Sequence, residues 1–342
     1  MEVNQLSDRF NKFAEECKGS SELYEHLSGE IAKDEKLLQL SSYAQDGQPV
    51  PNLLFGAVHF LLLKGMKHDL EKFYLTMVES PSEVANSFPP FKDFCLTYQP
   101  EIQSILESRL VQTNEVRRCA YLYPAFSMVY EASHKPLTLI EVGTSAGLQL
   151  LWDQFSYSYG SGEMYGKLDS EVHISSSVMG GAPPVMLRVA PPVSMRIGLD
   201  LHVNDVAEED DFLWLKALIW PEHADRRELF EQAASHLKDH HIRLIEGDAI
   251  ELLPELINTV PKNTMICVFH THVANQMTED QKSKLTELIQ TIGEEREISH
   301  LYNNMYDERL HLDMIIDGEE QTYEIGKTDG HGRWFEWNID KS

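Results

Sequence analysis

The sequence predicts an α/β fold: a doubly wound, mostly parallel sheet behind a helical N-terminal segment, with an antiparallel hairpin at the C-terminus. Three observations predict it. Helical spacing of apolar residues runs to about residue 130. From Leu137 onward, short aliphatic runs alternate with helix-length segments, which is the pattern of strand-helix units and a sheet covered on both faces. The first of those runs, Leu137-Thr-Leu-Ile-Glu-Val142, ends in a glycine turn.

In the N-terminal part, residues 1–130, Leu6, Phe10 and Phe13 recur at helical spacing, and Leu53 to Leu63 is a strongly apolar helix with Pro51 near its first turn. Pro81, Pro89, Pro90 and Pro100 divide the next stretch of chain into short helices. The stretch from Leu110 to Ala120 leads into an apolar helix around Leu122 to Val129. We expect this part to form a helical cap and residues 131–342 to form the α/β domain.

In that second part Leu148 to Phe155 reads as a helix, and the Gly-, Ser-, Tyr- and Pro-rich stretch 157–192 as a loop or antiparallel hairpin insertion. Strands are expected at Met195–Leu201, His241–Glu246, Met265–Phe269 and Ile298–Asn303. Helices are expected at Asp211–Trp220, Arg226–Leu237, Ala249–Ile257 and Glu279–Ile292. Leu310–Asp317 and Gln321–Ile325 flank the turn Gly318-Glu-Glu as a hairpin, and Arg333–Trp337 is extended.

Composition narrows the function classes. The chain has 342 residues, of which 42% are apolar and 25% charged, the balance of a globular protein. Cys17, Cys95, Cys119 and Cys267 lie far apart with no Cys-x-x-Cys pair, and read as buried thiols. A net charge of −26, from 55 acidic and 29 basic residues, repels phosphate backbones and anionic lipid and argues against nucleic acid; it reads either as a means of solubility or as a preference for a cationic substrate, and a small or cationic acceptor is expected. The first residues lack a basic stretch followed by an apolar one, and the run at Leu61 to Leu63 is too short to span a bilayer, so no membrane partner and a cytoplasmic location are expected.

Ligands of a doubly wound sheet sit beyond the carboxyl ends of its strands, so the loops there hold the candidate site. Glu141, Gly143, Ser145 and Gly147 lie between a strand and a helix, a turn that admits close approach of a nucleoside. Ser145 and Leu148 stand where a dinucleotide fingerprint needs glycine, which disfavours NAD. Asp200, ending its strand, suits the ribose hydroxyls, with Asp205 competing for that role; Asp248, after Glu246-Gly, suits the adenine amino group or caps the next helix. His270 and His272 in Phe269-His-Thr-His line the mouth as candidate general bases. No further ligand stands near this His-x-His pair, so no metal is expected. Gln112, Asn114 and Glu115 form a dense polar stretch before the sheet that either folds over the pocket or starts a solvated helix, and Trp334 and Trp337 read as core or as an aromatic wall.

Glu141-Val-Gly-Thr-Ser-Ala-Gly147 resembles the acidic-x-Gly-x-Gly-x-Gly turn of class I S-adenosylmethionine-dependent methyltransferases, with Ser145 in place of the middle glycine. The set Arg109-Leu-Val-Gln-Thr-Asn-Glu-Val116, Glu141 to Leu148, Gly198-Leu-Asp-Leu201, Trp214 to Pro221, Gly247-Asp-Ala249 and the His270 turn resembles an uncharacterised bacterial family, domain-of-unknown-function family 2332, over most of the chain. The resemblance implies a variant of the class I methyltransferase fold. The expected function is a methyltransferase, with S-adenosylmethionine held by Glu141, Gly143, Ser145, Gly147, Asp200 and Asp248. A non-catalytic nucleoside-binding or partner-binding module on the same fold is the alternative, because fold does not establish function. A nucleotide hydrolase is disfavoured, since no Gly-x-x-x-x-Gly-Lys-Ser/Thr loop is present.

Overall fold

The computed structural model describes residues 3–180, 184 and 186–339; residues 181–183 and 185, inside the expected insertion, lie outside the described set. The chain forms two compact units, residues 1–113 with 207–227, and residues 114–206 with 228–342. No helix among the described residues is long and apolar enough to cross a membrane.

The first unit is helical. In the helix Val3–Cys17 the buried residues are Leu6, Phe10, Phe13 and Cys17, one stripe at spacings of four, three and four. Ser21 and Asp34 cap the next two helices through their side-chain oxygens. Phe55, from the almost wholly buried helix Val50–Leu63, stacks on Tyr24 and Phe13. Pro89, Pro90 and Pro100 begin the helices Phe88–Thr97 and Gln99–Ser108, because a first turn has no N–H to lose. The later segment 207–227 supplies the helix Glu209–Ala217. It is joined through His59, whose Nδ1 and Nε2 lie 2.9 Å from the Ala217 carbonyl and 2.8 Å from Thr76 Oγ1. Trp214 Nε1 donates to the Leu110 carbonyl at 2.9 Å.

The second unit is mixed α/β. Its strands are β1 (Leu137–Val142), β2 (Ser156–Ser158), β3 (Met164–Gly166), β4 (His173–Ser175), β5 (Ser177–Met179), β6 (Val193–Asp200), β7 (Arg243–Glu246), β8 (Met265–His270), β9 (Ile298–Asn303), β10 (Arg309–Ile316), β11 (Glu319–Lys327) and β12 (Trp334–Glu336). Among the described residues a seven-stranded sheet runs β11-β10-β9-β8-β1-β6-β7. The pairs from β9 to β7 are parallel, and β10 is antiparallel to both β9 and β11. The chain leaves β1 on one side for β6 and β7, then returns on the other for β8 and β9. The order therefore reverses between β1 and β8, where a doubly wound sheet opens its crevice.

Both sheet faces are covered, which explains the unbroken apolar runs. Ile140, Val142, Ile197, Leu199, Ile266 and Val268 meet Leu253, Leu256, Leu285 and Ile289 from the helices Ala249–Ile257 and Glu279–Gly293. Each such side chain contributes roughly 1.5–3 kcal/mol on burial. On the other face Phe269 packs edge-on against Phe126 of the helix Cys119–Ser133. That helix contains Pro124, which has no N–H for the Ala120 carbonyl one turn back. The hydroxyl of Tyr159, from the insertion, donates to that carbonyl at 2.8 Å.

The segment expected as a helix after the glycine turn is a 3₁₀ run, Leu148–Gln154, almost wholly buried, so packing on all sides overrides helix propensity. In the insertion, β2 pairs antiparallel with β3 and parallel with β4. β12, the extended C-terminal piece, pairs with β5, and Trp337 beyond it is buried beside Phe335. The hairpin β10–β11 turns at Asp317 and Gly318, both with left-handed backbone.

Candidate functional site

The turn after β1 is built against the end of β6. The N–H groups of Gly143 and Thr144 both donate to the Leu199 carbonyl, at 2.8 and 3.2 Å, so the chain reverses over the neighbouring strand. Gly143 and Gly147 hold φ of 74° and 77°, and Ser145, a residue with a side chain, holds 51°. A Cβ at Gly143 would sit 2.5 Å from Val273 Cγ2, so the glycine there admits the loop that follows β8. Asp200 closes the turn: its Oδ2 accepts the Ser145 N–H at 2.7 Å and its Oδ1 the His202 N–H at 3.1 Å. Asp205 is exposed, five residues past the end of β6.

Glu141 lies under this turn, 3% exposed, and its Oε2 accepts the Thr144 hydroxyl at 2.7 Å. Burial pushes its carboxyl up to about 8; the Thr144 bond opposes this, Asp200 adds to it, and Arg118 opposes it. At neutral pH Glu141 is thus mostly a neutral acid. Asp248 caps the helix Ala249–Ile257, its Oδ1 accepting the Ile250 N–H at 2.8 Å.

The two histidines after β8 go to different partners. His270, 1% exposed, places Nε2 3.2 Å from Nε2 of His300, so one ring donates and the other accepts. Tyr302, in register with His270, stacks on His311 farther along the same sheet face. His272, with φ of 65°, is tied to the end of β9: its N–H donates to Asn303 Oδ1 and its Nδ1 accepts from Asn304 Nδ2, both at 2.7 Å. Burial lowers His270 and His272 to about 3, with Arg118 adding to the effect at His272, and lowers His300 too. All three are neutral at physiological pH, whereas a general base works best with a pKa near the working pH. Among the described residues no three His, Cys, Asp or Glu side chains group as metal ligands would.

The family assignment comes from the whole chain. Residues 7–337 match the family described as "Uncharacterized protein conserved in bacteria (DUF2332)". The chain belongs to that family. Comparison with curated proteins and with solved structures found no match.

In this DUF2332 chain polar residues gather around the turn and behind it. Asn114 and Asn204 both donate to Ser145 Oγ, at 2.7 and 3.0 Å, and Asn114 Oδ1 accepts the Ala146 N–H. Gly143-Thr-Ser-Ala-Gly147 also has the Gly-x-Ser-x-Gly spacing of a nucleophile turn, in which an exposed serine meets a histidine. Ser145 is 3% exposed, and its oxygen accepts from two amides, which makes it an anchor of the turn. Glu115, expected over the pocket or at a solvated helix start, is buried, with Oε2 3.4 Å from Nδ1 of His331. Its carbonyl accepts from Gln149, whose Oε1 accepts from Thr271 between the two histidines. Arg118, also buried, donates to the Thr271 and Gly330 carbonyls. The local signal available for this set was the density of Gln112, Asn114 and Glu115, but Glu115 meets residues far along the chain. Gln112 belongs to the first unit.

Proposed function

We propose that the second unit is a nucleoside-binding domain of the class I methyltransferase type, which takes S-adenosylmethionine and serves a small or cationic acceptor. The observation that carries this reading is the bond between the Ser145 N–H and Asp200. It joins a glycine turn to a strand-end carboxylate beside the point where strand order reverses. A carboxylate at a strand end is an acceptor for the hydroxyls of a ribose. The turn and Asp200 would hold the nucleoside, with Asp248 toward the base. The sulfonium supplies a methyl group already activated for transfer, so the protein's part is to orient the reactants and exclude water.

A non-catalytic nucleoside-binding module is favoured by one observation: His270, His272 and His300 are all held neutral by burial, far from the pKa of an efficient base. Calorimetry and thermal melts with S-adenosylhomocysteine test both readings. Ligand at a hundred times its dissociation constant adds about 2.7 kcal/mol to the native state and raises the melting temperature by several degrees. No heat and no shift at millimolar ligand overturns the nucleoside reading; tight binding without turnover on any acceptor selects the module.

A further inference from the structure

His272 is committed at one ring nitrogen only. Its Nδ1 lies 2.7 Å from the amide nitrogen of Asn304. An amide nitrogen donates, so Nδ1 carries the lone pair and the neutral ring keeps its proton on Nε2. That Nε2 is buried and has no hydrogen-bond partner among the described residues. Buried donors in folded proteins are almost always paired, so an unmade one marks a place where something else supplies an acceptor.

Backbone geometry at the same point is costly as well. His272 and Asn304 both hold left-handed φ, 65° and 58°, and each fixes the other through the ring-to-amide bond. Such strain persists where surrounding structure over-determines it, commonly at ligand sites. The charged and titratable groups facing His272 are Arg118, His331, Asp329 and His270. Asp329 is bound to the Arg333 guanidinium through both oxygens, at 2.7 and 2.9 Å, and Glu115 lies beside His331. Arg118 donates to the carbonyl and hydroxyl of Thr271, the residue before His272, which brings a buried positive charge within electrostatic reach of the ring.

We propose that His272 Nε2–H and the field of Arg118 form a recognition subsite for a ligand oxygen, a carbonyl or carboxylate brought to the end of β8. The histidine acts there as a donor that stays neutral and keeps its tautomer, with Asn304 as the positioning residue. This assignment does not rest on the methyltransferase reading, and its test uses no nucleoside.

The test is side-chain nitrogen NMR on the full ¹⁵N-labelled chain, titrated with acetate and separately with acetamide. The expected result is a protonated Nε2 and an unprotonated Nδ1 at His272, with a saturable shift of the Nε2–H signal at probe concentrations up to about 0.1 M. Acetate binding at least about tenfold tighter than acetamide assigns a carboxylate; equal affinities assign a neutral carbonyl. Asn304→Asp reverses the tautomer, because a carboxylate only accepts, and should abolish the shift. A proton on Nδ1 in the wild type, no saturable shift with either probe, or full binding by a folded Asn304→Asp variant overturns the proposal. If that variant does not fold, the wild-type titration decides alone.

Discussion

The backbone N–H of Ser145 points at Oδ2 of Asp200 from 2.7 Å, across 55 residues of sequence. A strand-end carboxylate thereby holds a turn on the adjacent strand in left-handed geometry. Asp200→Ala removes the acceptor of both this N–H and that of His202. Hydrogen bonds to a charged group contribute about 1.5–3 kcal/mol, so urea unfolding should show a loss of that order with an unchanged slope. A variant as stable as the wild type would mean that the turn holds its shape without Asp200.

Gly143→Ala is expected to destabilise for two separable reasons. A side chain in left-handed backbone costs roughly 1–2 kcal/mol, and overpacking against Val273 adds about 1–3. Val273→Ala in the same chain removes the Cγ2 atom that is 2.5 Å from the new Cβ, but leaves the Val273 Cβ at 2.7 Å. The double variant should therefore recover only part of the loss. A double-mutant cycle on urea midpoints measures this coupling, and zero coupling would mean that the loop after β8 does not press on the turn.

Glu141 makes stability depend on pH. Its carboxyl rises from 4.5 to about 8 on folding, chiefly through burial, so the folded state binds this proton more tightly than the unfolded chain. The contribution is fully present below about pH 4.5 and is lost as pH rises through about 8, at about 1 kcal/mol per pH unit in between. Urea melts from pH 5 to 9 should show that decline, and Glu141→Gln should flatten it. Equal slopes for the two proteins would place the titrating group elsewhere.

Asn114→Ala removes one donor to Ser145 Oγ and the acceptor of the Ala146 N–H. Hydrogen exchange of the Ala146 amide should accelerate by tenfold or so, matching a local loss of about 1 kcal/mol, while the Ile266 amide in β8 keeps its rate. Uniform acceleration would show that Asn114 supports the whole unit.

Much of the second unit was legible because its signals are local. β1, β9 and the helix Ala249–Ile257 fall on the residues their apolar patterns predict, and the glycine turn lies where Gly143 and Gly147 require left-handed backbone. What was not legible depends on distance along the chain. Nothing near residues 207–227 signals that they pack with the first 113. Nothing near Glu115 names His331, and the His-x-His spacing does not tell that His270 turns to His300 while His272 turns to Asn304. Asp248 was expected either at a base or as a cap; the cap is in place, and it is a local bond to Ile250.

At its outer limit the sheet ends in β11, whose ladder partner among the described residues is β10; Ile325 and Lys327 at its far end also bond the C-terminal piece, while Glu319, Glu320, Gln321, Thr322 and Glu324 are exposed along it. An open strand is a template on which any extended chain can add itself. Here a second molecule arriving edge to edge brings the same row of carboxylates, on a chain whose net charge is already −26. The hairpin that completes the fold thus also guards it against fibre growth, and that protection weakens in acid or high salt as the carboxylates are protonated or screened.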